Sequence, residues 1–231
     1  EEGSYTYSGI SEGEHTVRAY FMNNGHTVVY RKMYFDSDMQ LDWHEGKNWI
    51  TCKIIDELGQ VDTDTQSSSI ILAENNLTSS LDNGRVEFGP YTIGDYYTLI
   101  AEFSDIDDST QYTHFKLQTG SATEPSVNDF EFRHGMNSRY GFFKDLAGNP
   151  VQGVTISDGD QSTTSNSDGF FLLQNMVVGS EKTFTFAQGE TQVADNLTQI
   201  ITSGEGWMNV TAEIEVKLPD NASFITQVQV I

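Results

Sequence analysis

Aspartates two residues apart recur in this chain, in Asp36-x-Asp38, Asp62-x-Asp64, Asp105-x-Asp107-Asp108 and Asp158-x-Asp160. Carboxylates at that spacing in a loop can point several oxygens at one centre, and Ca2+, a hard cation, takes six to eight oxygen ligands. None of the four completes the twelve-residue D-x-[DN]-x-[DN]-G loop with its closing glutamate. Asp105, Asp107 and Asp108 are the first metal candidates, because they join two expected strands. Asp158 and Asp160, around Gly159, come second. The bland alternative at each site is a solvated acidic turn, and no cofactor is required by anything in the sequence. Four N-x-S/T sequons, at Asn76, Asn196, Asn209 and Asn221, are candidate glycan acceptors.

Catalytic patterns are missing. His15, His26, His44, His114 and His134 never fall in H-x-H, H-x-x-H or H-E-x-x-H, and the chain has no G-x-S-x-G elbow, phosphate loop or dinucleotide fingerprint. Paired carboxylates for glycoside hydrolysis carry no information among 34 acids. The chain is therefore read as non-enzymatic, with no catalytic residue assigned. Trp43, Trp49, Tyr91, Tyr96, Tyr97 and Tyr112 could make a sugar-stacking platform, but Trp49 and Tyr97 fit core positions better. Trp207, in Ser203-Gly204-Glu205-Gly206-Trp207, is the best candidate for an exposed aromatic.

Composition narrows the partners. The 34 acids and 12 bases give a net charge of −22 over 231 residues, a field that repels nucleic acid and anionic membranes and attracts divalent cations. No apolar run approaches the ~20 residues that a membrane helix needs, and no leader is recognisable at Glu1, so any signal peptide is expected to have been removed. Cys52 is the sole cysteine and shares a strand face with Ile50 and Ile54, the place of a small buried hydrophobe. Acidity, sequons and the lack of cysteine pairs favour a secreted or cell-surface protein.

The elements that must position these residues are strands. Helical periodicity is nearly absent, whereas His15-Val17-Ala19-Phe21, Tyr97-Leu99-Ala101-Phe103 and Val210-Ala212-Ile214-Val216-Leu218 alternate with polar neighbours, as half-buried strands do. The fold class is all-β, in tandem antiparallel sandwiches with no substantial helix. Between Tyr140 and Leu173, Ala147-Gly148-Asn149-Pro150 and Asn166-Ser167-Asp168-Gly169 are turn signals, so the stretch reads strand, turn, strand, turn, strand.

That stretch resembles the carboxypeptidase regulatory-like domain, a transthyretin-like β-sandwich, through Asp145, Gly148 to Val151, Gly153-Val154, Thr163, Thr164 and Ser167 to Phe170 before Leu172. The resemblance implies an accessory or structural module without an active site of its own. Gly94-Asp95-Tyr96 before an alternating strand is similar to the aromatic corner of immunoglobulin-like domains. At an offset of 82 residues Ala19, Phe21 and Tyr30 fall on Ala101, Phe103 and Tyr112, which suggests an internal repeat in which His15 replaces the corner tyrosine.

The expected organisation is a partial immunoglobulin-like unit at 1–35, an immunoglobulin-like sandwich at 36–124, a carboxypeptidase regulatory-like sandwich at 125–218 and an extra strand at 219–231. In that last strand Phe224, Ile225, Val228, Val230 and Ile231 are the candidate assembly residues. Either the chain is a window on a longer multidomain protein, or the extra strand completes a sheet edge on the next copy; a local hairpin is the third option. The expected partners are copies of the chain itself or adjacent domains, with glycans, but neither nucleic acid nor membrane insertion. The expected function is a surface layer, sheath or filament. The alternative is the accessory region of a secreted peptidase or glycosidase.

Overall fold

The computed structural model describes residues 6–21, 27–37, 39–45, 47–56, 58–62, 68–80, 84–104, 110–118 and 128–212. The described strands are β1 Gly13–Phe21, β2 Thr27–Phe35, β3 Lys47–Ile55, β4 Ser69–Leu72, β5 Leu77–Ser80, β6 Arg85–Thr92, β7 Tyr96–Ser104, β8 Thr110–Gln118, β9 Asn128–Arg133, β10 Met136–Phe142, β11 Lys144–Asp145, β12 Thr155–Ser157, β13 Ser162–Thr164, β14 Phe170–Val177, β15 Glu181–Gln188, β16 Thr191–Ile200 and β17 Thr211–Ala212. A single 3-10 turn, Ala73–Asn75, is the helical content among them. The all-β expectation holds. Two compact units result: Glu1–Tyr140 with Leu172–Thr183 and Thr198–Met208, and Gly141–Phe171 with Phe184–Leu197 and Asn209–Ile231.

In the first unit, period-two alternation builds a sandwich. The sheet β6-β3-β9 contributes Ile50, Cys52, Ile54, Val86, Phe88 and Phe132 to the core, and the sheet β5-β4-β7-β8 contributes Ile70, Leu72, Leu99, Ala101, Phe103 and Leu117. Each fully buried Ile, Leu or Phe contributes roughly 1.5–3 kcal/mol relative to an exposed one. Cys52 lies in this core with Ile50 and Ile54, all three fully buried, as its strand face implied. Trp49 is buried as well, and Tyr97 stays half-buried with its ring 4.6 Å from Tyr91. Strand β9 falls in the segment assigned from sequence to the third module, yet its backbone partner is β3, in parallel from Ile50↔Asn128 to Ile55↔Arg133. Backbone pairing, rather than position in the chain, sets where a sheet ends.

Strands β1 and β2 form an antiparallel ribbon of nine residue pairs, Gly13↔Phe35 to Phe21↔Thr27. Strand β2 lies against β3 and β9. Central strand β3 is accordingly buried on both faces, with Thr51 as well as Cys52 enclosed. Double-sided burial of this kind erases the polar half of an alternating pattern.

The internal repeat has a structural counterpart. β1–β2 and β7–β8 are both antiparallel hairpins of nine-residue strands. Val17 and Ala19 are half-buried between exposed Thr16 and Arg18, whereas Leu99 and Ala101, at the 82-residue offset, are fully buried; the hairpin ends coincide at 83. Beyond β8 the sandwich continues into β9, which pairs with β3.

The second unit is built on Phe143, Val154, Ile156, Phe170, Phe171, Phe184, Phe186, Val193 and Val210, all buried. Rings meet at 5.6 Å between Phe143 and Phe186 and at 5.3 Å between Phe142 and Phe170. Its sheet runs β13-β12-β15-β16, with Ile156 opposite Phe186, while β11 pairs β17 in parallel. Both expected turns are present. The stretch between them holds a third, Ser157–Ser162, which splits the expected middle strand into the hairpin β12–β13. The alternating run after Val210 is described as strand only at Thr211–Ala212; the rest lies outside the described residues.

Candidate functional site

Asx side chains shape several of the turns in this chain. Asp56, Asp145 and Asn166 each open a five-residue turn with glycine fourth, in Asp56-x-x-Gly59, Asp145-x-x-Gly148 and Asn166-x-x-Gly169. In each, the Oδ1 accepts the backbone N–H groups two and four residues on, at 2.8–3.0 Å. The glycine N–H donates to the carbonyl of the opening residue, and the opening N–H donates to the carbonyl of the fifth. Gly59, Gly148 and Gly169 have φ of 78°, 86° and 77°, a left-handed geometry that costs glycine nothing. Gly169 is doubly constrained, since a Cβ there would collide with the Phe143 carbonyl oxygen, whereas Gly148 faces open space. Hydrogen bonds from Asn149 and the neighbouring backbone hold the Asp145 carboxyl below its ordinary range.

Asp158 belongs to the same class. Its Oδ1 accepts the N–H groups of Asp160 at 3.0 Å and Gln161 at 2.8 Å, and its own N–H donates to the Gln161 carbonyl. Asp158 is 9% exposed while Asp160 is exposed, so the structure points one carboxylate inward as a turn-former and the other outward. Asp36 accepts the Ser37 hydroxyl at 3.0 Å. Asp62 accepts the Ser68 hydroxyl at 3.0 Å and lies 3.4 Å from His134 Nε2. Asp105, Asp107 and Asp108 lie outside the described residues. Among the described residues no group of three or more His, Cys, Asp or Glu is placed to hold a metal ion.

Of the sequons, Asn76, Asn196 and Asn209 are exposed. Asn76 follows the 3-10 turn with φ of 49°, and Asn196 sits on β16, the end strand of its sheet. Asn221 and the assembly residues Phe224, Ile225, Val228, Val230 and Ile231 lie outside the described residues. Trp207 is 44% exposed, its ring edge-on to buried Tyr140 at 5.9 Å. Burial pushes the Tyr140 phenol up to about 12.

Two arrangements escaped the sequence. Asn137 and Arg139, alternate residues of β10 and both nearly fully buried, donate side-chain hydrogen bonds to the carbonyls of the 200–204 segment. Asn137 Nδ2 reaches Thr202 at 2.7 Å and Gly204 at 2.9 Å, and Arg139 reaches Ile200 at 3.4 Å. These side chains do for that carbonyl row what a neighbouring strand would do. Nothing in a lone Asn-Ser-Arg could have signalled it.

The second is the charged outer face of the sheet β6-β3-β9. Lys53 pairs with Glu131 at 2.6 Å, Arg133 with Glu131 at 2.9 Å, and Arg85 with Glu14 on β1. The hydrogen bond from Lys53 leads in holding the Glu131 carboxyl below its usual range. This face, half enclosed by the ribbon and lined with matched charges, is a candidate assembly surface.

No family model matches this chain, and no curated protein does. Among solved structures, the Bacillus anthracis TIE protein is 14% identical with a TM-score of 0.30, covering 86% of this chain and 41% of that one. The shaft pilin SpaA of Lactobacillus rhamnosus GG is 12% identical with a TM-score of 0.29, over 75% of this chain and 100% of that one. A streptococcal ancillary pilin is 11% identical at 0.26, over 89% and 77%. Scores at this level set neither function nor partner. No helix among the described residues is long and apolar enough to cross a membrane.

Proposed function

We propose that this chain is a non-enzymatic structural protein of the cell surface, whose β-sandwich modules join copies of itself into a filament, sheath or surface layer. The observation that carries this reading is the β1–β2 ribbon, a sheet of only two strands among the described residues. Two-stranded sheets are marginal alone, and strand edges invite further strands. The segment Phe224–Ile231 alternates in the way a donor strand would. In this reading it completes a sheet edge on the next copy, and glycans at the sequons and Ca2+ at the aspartate loops are accessories. Two of the Asx turns support the carboxypeptidase regulatory-like assignment, since its signature residues Asp145, Gly148 and Gly169 occupy them.

Deleting 224–231 tests the connector. Light scattering should show monomers where the full chain assembles, with the far-ultraviolet β signature kept. Assemblies that persist unchanged remove the terminal strand from the function. A melting temperature unaffected by chelation removes the calcium. A second reading, the accessory region of a secreted glycosidase, is favoured by exposed Trp207 alone: retardation of the chain in polysaccharide gels, lost on Trp207→Ala, would support it.

A further inference from the structure

The ribbon β1–β2 has an unusual relation to the rest of its unit. All nine of its residue pairs are internal, and no other strand joins its sheet among the described residues. It can therefore leave the body without breaking a backbone ladder. The surface it covers is mixed. The polar Thr51, 4% exposed, and the charged groups Lys53, Arg85 and Glu131 share β3 and its neighbours with Trp49 and Ile55, which are buried outside the inner core of the sandwich. Glu14 on β1 meets Arg85 at the start of β6, an attraction between opposite charges in a chain where acids outnumber bases 34 to 12.

The connection to β3 also suits exchange. Residues 36–42 have no regular structure where described, and Asp36, Ser37, Met39, Gln40 and Asp42 are exposed. Immediately after them Trp43 and His44 set their rings against Trp49, at 5.7 and 6.5 Å, and the Lys47 N–H donates to the His44 carbonyl. The hinge is thus bounded on one side by the self-paired ribbon and on the other by a pinned aromatic cluster. Extended, seven residues reach roughly 25 Å.

We propose that the β1–β2 ribbon is an exchangeable module, which in assembled material covers the β6-β3-β9 face of a second copy, with Glu14 engaging the second copy's Arg85. This rests on the self-assembly reading and adds a connector separate from the terminal strand. Every contact of the closed chain is reproduced between copies, which is why swapping a hinged element is a low-cost route to association.

The test uses the full chain carrying the mild substitution Arg85→Lys, which keeps the charge and supplies an amine. Nitrogen-15 and unlabelled chains are mixed as monomers in equal amounts and concentrated. Carbodiimide then activates the Glu14 carboxylate, the new amine attacks, and an amide forms with release of the urea. Mass spectrometry reads the isotopes of the joined 14–85 peptide pair. Exchange predicts that about half of these pairs in the assembled fraction are mixed, the statistical value for random partners. Pairs of a single isotope throughout overturn the proposal. If such assemblies still vanish on deletion of 224–231, the terminal-strand reading survives without ribbon exchange. If no assembly forms at any concentration, both fall.

Discussion

Asn137→Ala should be among the most damaging polar substitutions in the chain. The side chain is 1% exposed and holds three groups at once: it donates to the carbonyls of Thr202 at 2.7 Å and Gly204 at 2.9 Å and accepts the Ser138 N–H at 2.8 Å. A net intramolecular hydrogen bond is worth about 1 kcal/mol, and a buried group left without its partner costs ~1–3 kcal/mol. Thr202 is exposed and Gly204 half-buried, so water can rescue their carbonyls, while the buried Ser138 N–H bears the larger penalty. The sum is about 2–4 kcal/mol. At roughly 2–4 °C per kcal/mol for a chain of this size, Tm falls by roughly 4–16 °C. The loss is also local: the Tyr140 N–H donates to Gly206, and the Met208 N–H to Tyr140, so both amides should lose hydrogen-exchange protection before the sandwich core does. Thermal unfolding followed by tryptophan fluorescence and amide exchange reads both effects. An unchanged Tm with unchanged exchange at Tyr140 and Met208 would refute the idea that Asn137 stands in for a missing strand.

Further outcomes follow from the same geometry. Gly169→Ala should destabilise far more than Gly148→Ala, because both pay the positive-φ cost of about 1–2 kcal/mol but only the former drives a methyl into the Phe143 carbonyl; comparable urea midpoints would contradict this. The folded-state pKa of Glu131 is depressed, so its contribution is present above the ordinary glutamate range and lost as pH falls through the lower folded value. Glu131→Gln should flatten that acid limb of the stability–pH curve, and an unaltered limb would count against the Lys53 pairing. Cys52, fully buried, should react with a thiol reagent only as fast as the sandwich opens, and Cys52→Ser should cost ~1–3 kcal/mol; rapid labelling in native buffer would place it elsewhere.

How much of this was legible depended on range. Alternation over His15–Phe21 and Tyr97–Phe103 named the strands and their inner residues, because a strand's side-chain period is local and survives any tertiary arrangement. The turns at Asp145–Asn149 and Asn166–Phe170 were legible for the same reason: glycine and Asx residues act on backbone two to four positions away. Asp158-x-Asp160 was ambiguous because a carboxylate that caps its own turn and one that awaits a cation have the same spacing. Only the direction of the N–H groups at Asp160 and Gln161 separates them. Strand β3 concealed its second buried face, since Thr51 and Lys53 look solvated until the ribbon lies over them.

The sequence alone determined an acidic all-β chain, the inner face of β7 and the residues of the turns at Asp145–Asn149 and Asn166–Phe170. These depend on composition and on neighbours within a few positions. Tertiary structure decided that β9 returns to pair with β3, that Asn137 and Arg139 satisfy a carbonyl row some sixty residues away, and that the β1–β2 ribbon lies against β3 and β9. Such pairings join segments whose backbones carry identical donors and acceptors. Their choice is set by which surfaces the folded chain brings within hydrogen-bond reach, and that information is spread over the whole fold.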